Sequence, residues 1–265
     1  PGAKKRLLNL SVLQRELMSS PAAIGKTLDR ICHGRHHPVE TIDRLERYSS
    51  RARAIRVPSK IYAAKEILDA FSGQQFIIYT EFKETAKLLT AMLEKWGKPA
   101  FLITGNTSIS RRDAILESFK ESPGGILVST EAGGIGLNLQ FCHCILNYDL
   151  PWNPMRLEQR IGRCDRIGQK APVYVFNLAI QNTIEEYVVD ILGRKLRMFE
   201  LVMGEVNTVL GQIGQSRSLG QMISDIWLRS ASSNEARTRF RSLGNEVEKA
   251  RHAYDQAKQL RVNRL

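Results

Sequence analysis

The sequence predicts an α/β fold in which a parallel sheet is covered by helices on both faces and flanked by helical N- and C-terminal extensions. Three observations predict it. Between Gln75 and Leu178, short apolar runs bounded by glycine, proline or polar residues alternate with longer stretches of helical periodicity, which implies right-handed crossovers rather than hairpins. The 265 residues are 43% hydrophobic and 25% charged, enough for one large core or two modest domains. The net charge of +12 is unevenly placed: residues 61–192 hold 13 Lys or Arg against 15 acids, residues 1–60 hold 13 against 5, and residues 193–265 hold 13 against 7. A near-neutral middle with basic flanks suits a polyanion such as DNA, the bland alternative being a charge excess that aids solubility.

Leu7, Leu8, Leu10, Leu13, Leu17 and Met18 recur at helical spacing until Ser19, Ser20 and Pro21 interrupt them. A second helix runs from Ile24 to Ile31. Its Gly25, Lys26 and Thr27 imitate the end of a phosphate-binding loop, but Ser20 stands where an earlier glycine is needed and no buried strand leads in. Thr41–Arg56 carries Arg44, Arg47, Arg51, Arg53 and Arg56 and reads as an exposed basic helix, broken at Val57 and Pro58. Ser59 is placed to cap a helix over Lys60–Phe71, with Ile61, Ala64, Ile67 and Leu68 on its apolar face.

Strands are expected at Gln75–Tyr79, Ala100–Ile103, Ile126–Ser129, Cys144–Tyr148 and Val173–Leu178. Helices are expected over Glu84–Trp96, Ser110–Lys120, Arg156–Arg166 and Thr183–Met198, the last opened by the capping-box pair Thr183 and Glu186. Gly211–Gly220 is small, polar and reads as a linker. Beyond it, Met222, Ile223, Ile226 and Trp227 share one face, while Phe240, Leu243, Val247, Ala250, Tyr254, Ala257 and Leu260 form a series that fits a helical hairpin or a partner-binding helix equally well. The expected domains are therefore a basic helical lead-in, 1–58, a sheet-bearing lobe, 59–212, and a helical extension, 213–265.

The densest chemistry lies in ILVSTEAGGIGLNLQ and the following FCHCILNYDLPWNPMRLEQRIGRCDRIGQ, Ile126–Gln169. Gly133, Gly134 and Gly136 directly after a buried strand let backbone N–H groups approach a phosphate, and Asn138 adds an amide to the same surface. Asp149, Pro151, Asn153 and Pro154 end the next strand in a rigid polar loop. Arg160, Arg163 and Arg166 are spaced three apart and share one face if the helix persists. Alone, such a run is a solvated basic face. Aimed across a cleft, an arginine stabilises charge on a transferring γ-phosphoryl.

That order of strand, glycine-rich turn, strand, WNP loop and QRIGRCDRIGQ resembles motifs V and VI of superfamily-two helicases, in the form used by Swi/Snf-type ATPases and their bacterial RapA-like relatives. FIIYTEFKETAKLL, Phe76–Leu89, resembles motif IV; GNTSISRRDAILESF, Gly105–Phe119, resembles the segment before motif V; and LLNLSVLQRELMSSPAAIGKTL resembles the lead into the second motor lobe. The resemblance spans roughly Leu7–Leu210. It implies a RecA-like C-terminal lobe of a double-stranded DNA translocase or remodelling ATPase.

By matching position, Gln159, Arg163 and Arg166 are the catalytic candidates, the two arginines as fingers. Gly134, Gly136, Asn138 and Arg160 are nucleotide-cleft candidates, and Thr80, Thr104, Gly105, Thr107, Arg112, Ser129, Thr130 and Asn153 are DNA-contact candidates. Tyr79, Thr80 and Glu81 depart from the Phe-Ser-Gln type run common at motif IV, and Arg160 from the small or acidic residue usual in Swi/Snf proteins. ATP and Mg would be held mainly by an N-terminal RecA-like lobe of the same polypeptide, because this chain contains neither a P-loop lysine nor an acidic magnesium motif, and alone it is expected to be inactive. The competing readings are a strand-separating DNA or RNA helicase of the same superfamily and a non-catalytic nucleic-acid-binding module.

Cys32, Cys142, Cys144 and Cys164 have neither zinc spacing nor a dense disulfide framework, so no metal is expected and a reducing compartment, cytoplasmic or nuclear, fits best. Cys32–His37, CHGRHH, reads as a polar turn rather than a zinc site. No apolar run approaches the ~20 residues of a membrane span, so no membrane partner is expected. Pro1 reads as the start of a piece of a longer chain.

Overall fold

The computed structural model describes residues 2–34, 38–134, 136–165, 169, 171–196, 205–211, 213 and 218–262. It divides into two compact units, residues 1–149 with 163–178, and residues 150–162 with 179–265.

In the first unit, helices α1 (Gly2–Ser19), α2 (Pro21–Gly34) and α3 (Val39–Ala54) form the lead-in, α2 packing against both neighbours. Ser49 of α3 donates to Asp29 of α2 at 2.5 Å, and Arg53 pairs with the same carboxylate. These hydrogen bonds, Ser49 first, hold the Asp29 carboxyl below its usual range. GKT lies inside α2, where Gly25 is buried and Lys26 pairs with Glu84 at 2.5 Å. It is a helical turn, not a phosphate loop. Helix α4 (Ser59–Ala70) starts one residue earlier than expected: Pro58 is its N-cap, and Ser59 is its first helical residue rather than a cap.

Strands β1 (Phe76–Thr80), β2 (Ala100–Ile103), β3 (Ile126–Thr130), β4 (Cys144–Asn147) and β5 (Tyr174–Asn177) form one sheet in the order β2-β3-β1-β4-β5, with every pairing parallel. All residues of β1, β3 and β4 are buried, which is why each reads as an unbroken apolar run. On one face Phe76, Ile78, Val128 and Leu146 pack with Ile61, Ala64 and Leu68 of α4 and with Leu89 and Leu93 of α5 (Lys83–Lys95). On the other, Phe119 of α6 (Ile109–Lys120) sits against Phe101 and Phe141, with ring centroids 5.7 and 5.5 Å away. The sheet is thus covered twice, as the pattern of the sequence requires.

The second unit contains α7 (Pro154–Ile161), α8 (Ile184–Val189), α9 (Glu205–Leu210), α10 (Leu219–Arg229) and α11 (Ser233–Val262). Helix α7 is shorter than expected, because Gly162 at φ −64°, ψ 0° closes its last turn. Helix α8 passes at Asp190 into a π-helical segment, Asp190–Lys195, where one continuous α-helix was expected. Thr183 caps α8 by accepting from Glu185 N at 3.2 Å, while the Glu186 carboxylate accepts from Asn182 N at 2.7 Å, so each side chain of the expected pair caps the helix start but through a backbone N–H one residue earlier than the box requires. Ser218 and Gln221 form a complete capping box at the start of α10, inside the stretch read as linker. The core of this unit gathers Val188, Ile191, Val209, Ile223, Phe240 and Val247, and Tyr187 stacks on Phe240 at 4.5 Å.

Candidate functional site

The carboxyl ends of β1 and β3 lie side by side, with Thr80 in register with Thr130. Immediately beyond β3 the glycine turn begins, and Gly134 N donates to Thr130 O at 2.9 Å. That N–H is spent closing the turn and is not presented to a phosphate. A Cβ on Gly133 would lie 2.7 Å from Ile103 O, so the turn can approach the end of β2 only with glycine there. A Cβ on Gly134 would collide with the Arg163 guanidinium. Gly136 has φ +78°, a left-handed conformation that favours glycine. Asn138 and Gly136 are exposed.

Arg163 is docked on this turn. Its Nη1 donates to Gly134 O, its guanidinium lies 5.8 Å from the centroid of the Tyr79 ring, and its carbonyl accepts from Leu139 N at 3.2 Å. The contact places a half-buried cation against the end of β1 and the glycine turn together. Of the other arginines, Arg160 is fully buried and Arg166 lies outside the described residues. Because α7 ends at Ile161, Arg163 lies beyond the helix that carries Arg160, and the two do not share a helical face. Gln159 is exposed on α7, and Asn153 caps that helix by accepting from Met155 N at 3.1 Å.

The proposed DNA-contact residues separate into two groups. Thr80 and Ser129 are completely buried, Thr80 donating to Asp149 at 2.5 Å and Ser129 to Thr130 O at 3.2 Å. Neither hydroxyl faces a ligand as placed. Thr104 and Thr130 are only 6% exposed. At the end of β2, however, Gly105 is exposed and Thr107 is half-buried in the turn, and half-buried Arg112 reaches back to that turn from the first part of α6. Thr107 Oγ1 accepts from Thr104 N at 3.0 Å, and Arg112 Nε donates to Thr107 O at 3.0 Å.

One cluster is not visible in the sequence. Asp149, at the carboxyl end of β4 and 4% exposed, accepts through Oδ2 from Ser19 at 2.8 Å, Thr80 at 2.5 Å and Glu81 N at 2.9 Å. Its Oδ1 lies 3.7 Å from Lys60 Nζ, itself 6% exposed, and Lys60 sits 5.2 Å from the centroid of the Tyr148 ring. Ser19 and Ser20 also meet Thr85 at 2.8 and 2.7 Å, and Arg15 pairs with Glu81 at 2.7 Å. The lead-in is thereby fastened to the motif IV turn. The available signal was Lys60 directly beside the apolar stripe of α4, a charge where burial demands a partner.

Thiols contribute no reactive group to the site. Burial pushes Cys142 up to about 12 and raises Cys144 and Cys164 as well. Cys32 is half-buried, and Arg35, His36 and His37 lie outside the described residues. No described helix is long and apolar enough to cross a membrane.

Residues 59–168 match the family model of the helicase conserved C-terminal domain. The chain is 34% identical over 246 residues to the uncharacterized ATP-dependent helicase YqhH of Bacillus subtilis, an alignment covering 89% of this chain and 42% of that protein. Over 137 residues it is 34% identical to the DNA repair and recombination protein RAD54B of Gallus gallus, covering 51% of this chain and 15% of that protein. The SWI2/SNF2 ATPase core of Sulfolobus solfataricus, solved in complex with dsDNA, aligns with a TM-score of 0.50 at 21% identity over 82% of this chain and 46% of that one, a likeness of fold. Sheet, glycine turn and docked arginine therefore belong to a helicase C-terminal domain on a RecA-like lobe. Residues 59–168 thus carry a helicase conserved C-terminal domain, similar in sequence to ATP-dependent helicases such as YqhH, and the chain spans less than half the length of that protein.

Proposed function

We propose that this chain is the C-terminal motor lobe of an ATP-dependent double-stranded DNA translocase or remodelling ATPase, completed by a P-loop lobe elsewhere in the same polypeptide. In this reading Arg163 and Arg166 are the arginine fingers and Gln159 assists them. The lobe corresponds to residues 59–212, with 1–58 as its lead-in and 213–265 as an extension that reaches a protein partner. The observation that carries the proposal is the docking of Arg163 on Gly134 O and the Tyr79 ring, since it joins motif VI, motif V and motif IV at one point. A finger held by the glycine turn moves when the turn moves, so DNA contact and phosphoryl transfer are coupled through these residues. Arginine suits the task because its planar fork stays charged and can keep one donor on the turn while others meet an anion.

DNA is held in this reading by the Gly105–Thr107 turn with Arg112 of α6, and by the basic lead-in, through sequence-independent contacts to phosphates. ATP and its Mg are held mainly by the other lobe, where ATP supplies the γ-phosphoryl to be transferred, and the work takes place in the cytoplasm or nucleus. Buried Thr80 and Ser129 support the geometry of the edge rather than touching DNA.

The test is DNA-stimulated phosphate release by the full-length parent. Arg163→Ala and Arg166→Ala should each lower it ~1000-fold or more while the fold persists. Near-normal turnover in both would remove the finger assignment, and turnover by residues 1–265 alone would show that no second lobe is needed.

A further inference from the structure

Outside the segment that matches the helicase domain, the second unit holds a cavity of about 920 Å³ between α8 with its π-helical segment on one side and α10 with α11 on the other. Two observations single it out. The π-helical segment contributes Asp190, Ile191 and Arg194 to its wall, and such wide turns concentrate where a helix must present side chains to a site. The same cavity combines three cations, Arg194, Arg237 and Arg241, with the aromatic side chains of Tyr187, Trp227 and Phe240.

Of the two carboxylates on its wall, Asp190 pairs with Arg194 at 3.5 Å, while Glu186 accepts from Asn182 N at 2.7 Å and keeps its charge near Arg237, which leaves one cation in excess among the groove's charged residues. Arg237 lines the cavity with Tyr187, whose ring stacks on Phe240 at 4.5 Å. Arg241 follows one helical turn later and is exposed.

We propose that this groove is a docking site for an acidic peptide segment of a partner protein, one that carries an aromatic or aliphatic anchor. The anchor enters beside Trp227 and Phe240 and leaves water. Flanking carboxylates pair with Arg237 and Arg241, whose forks match a carboxylate in two hydrogen bonds each. Duplex DNA fits less well, because it offers a broad row of phosphates and no apolar anchor for an aromatic-lined recess. The inference stands independently of the motor reading, since none of these residues belongs to motifs IV to VI.

Random peptides displayed on phage should be selected against the full chain, and an enriched sequence then synthesised with a fluorescent label for anisotropy titration. Enriched peptides are expected to be acidic around a Trp, Phe or Leu. The variant Arg237→Gln/Arg241→Gln should bind the labelled peptide about tenfold more weakly or worse, from loss of charge-assisted hydrogen bonds. Arg239→Gln, on the same helix but paired with Glu235 and not lining the cavity, should bind as the parent does. Arg241→Glu provides the answer should the double variant fail to fold, since that side chain is exposed. Absence of any enriched peptide, equal binding by the variants, or a loss of duplex DNA binding in place of peptide binding would each overturn the proposal.

Discussion

The chain leaves the first unit after Asp149 and re-enters it at Arg163, and the two ends are tied down by opposite chemistry. Asp149 is a buried carboxylate with three donors on one oxygen and an ammonium near the other. Arg163 is half-buried and rests on one carbonyl and one aromatic ring. A carboxylate withdrawn from water needs full compensation, so its partners are fixed together and the end acts as a clamp. A half-buried guanidinium keeps part of its hydration, so its docked position is released at a cost of about 1 kcal/mol, the net worth of one such hydrogen bond. The comparison teaches that burial separates an end whose partners are fixed together from one whose single docked contact can be exchanged.

The largest effect should come from breaking the clamp. Lys60→Ala or Asp149→Ala leaves a buried charge without its partner and should cost about 3–5 kcal/mol in urea unfolding. Replacing both, as Lys60→Met with Asp149→Leu, should cost less than Asp149→Leu alone, because Lys60 no longer stays buried without its partner, although Ser19, Thr80 and Glu81 N still lose their acceptor. A loss below about 1 kcal/mol for Lys60→Ala would mean that the cluster is not a clamp.

The clamp also decides how the basic lead-in must be tested. Ser19, Ser20, Arg15 and Lys26 all reach the motif IV turn or α5, so removing residues 1–56 would strip structure along with charge. Point changes are cleaner. Arg44, Arg47 and Arg51 are exposed on α3, and changing all three to Gln should leave the melting temperature unchanged. In duplex DNA titrations the slope of log affinity on log salt should flatten by up to about 0.9 for each phosphate that is no longer neutralised. An unchanged slope would make that face a solvated surface and confine DNA to the lobe.

The Arg163 end gives smaller changes that act on each other. Gly134→Ala should cost about 1 kcal/mol, the worth of the docked hydrogen bond, because the added methyl displaces the guanidinium. Arg163→Ala should cost about 1 kcal/mol or less. Together they should cost less than the sum, since removing the guanidinium makes room for the methyl. Strict additivity would place Arg163 away from the glycine turn in solution.

What the sequence revealed and what it hid follow the same division. The strands were legible because β1, β3 and β4 are buried throughout and stand between Gly, Pro and polar breaks. The glycine turn and the resemblance of Gly105–Phe119 and Ile126–Gln169 to helicase motifs were legible because their residues are contiguous. The arginine face was misread: a spacing of three continues through Gly162, but the helix does not. The clamp was hidden because Ser19, Lys60, Thr80 and Asp149 are far apart in sequence and only the folded sheet edge brings them together. The π-helical segment was hidden too, since its apolar spacing is compatible with an ordinary helix.

The mildest test uses a neutral buried group close to the strand that leads into the clamp. Cys142 is fully buried, and its thiol is pushed by burial from 9.0 up to about 12. Between those values the unfolded chain has lost the proton that the folded chain keeps. Because the native state then binds more protons, stability falls as pH rises, by up to about 1.4 kcal/mol for each pH unit. Below about pH 8 both states hold the proton and the contribution is constant. Cys142→Ala should therefore lower stability slightly at pH 7 and reduce the decline between pH 8 and 10, measured by urea unfolding at each pH. The clamp variants should shift the whole profile downward instead. An alkaline decline of equal slope in Cys142→Ala and the parent would show that this thiol already meets solvent and does not titrate as a buried group.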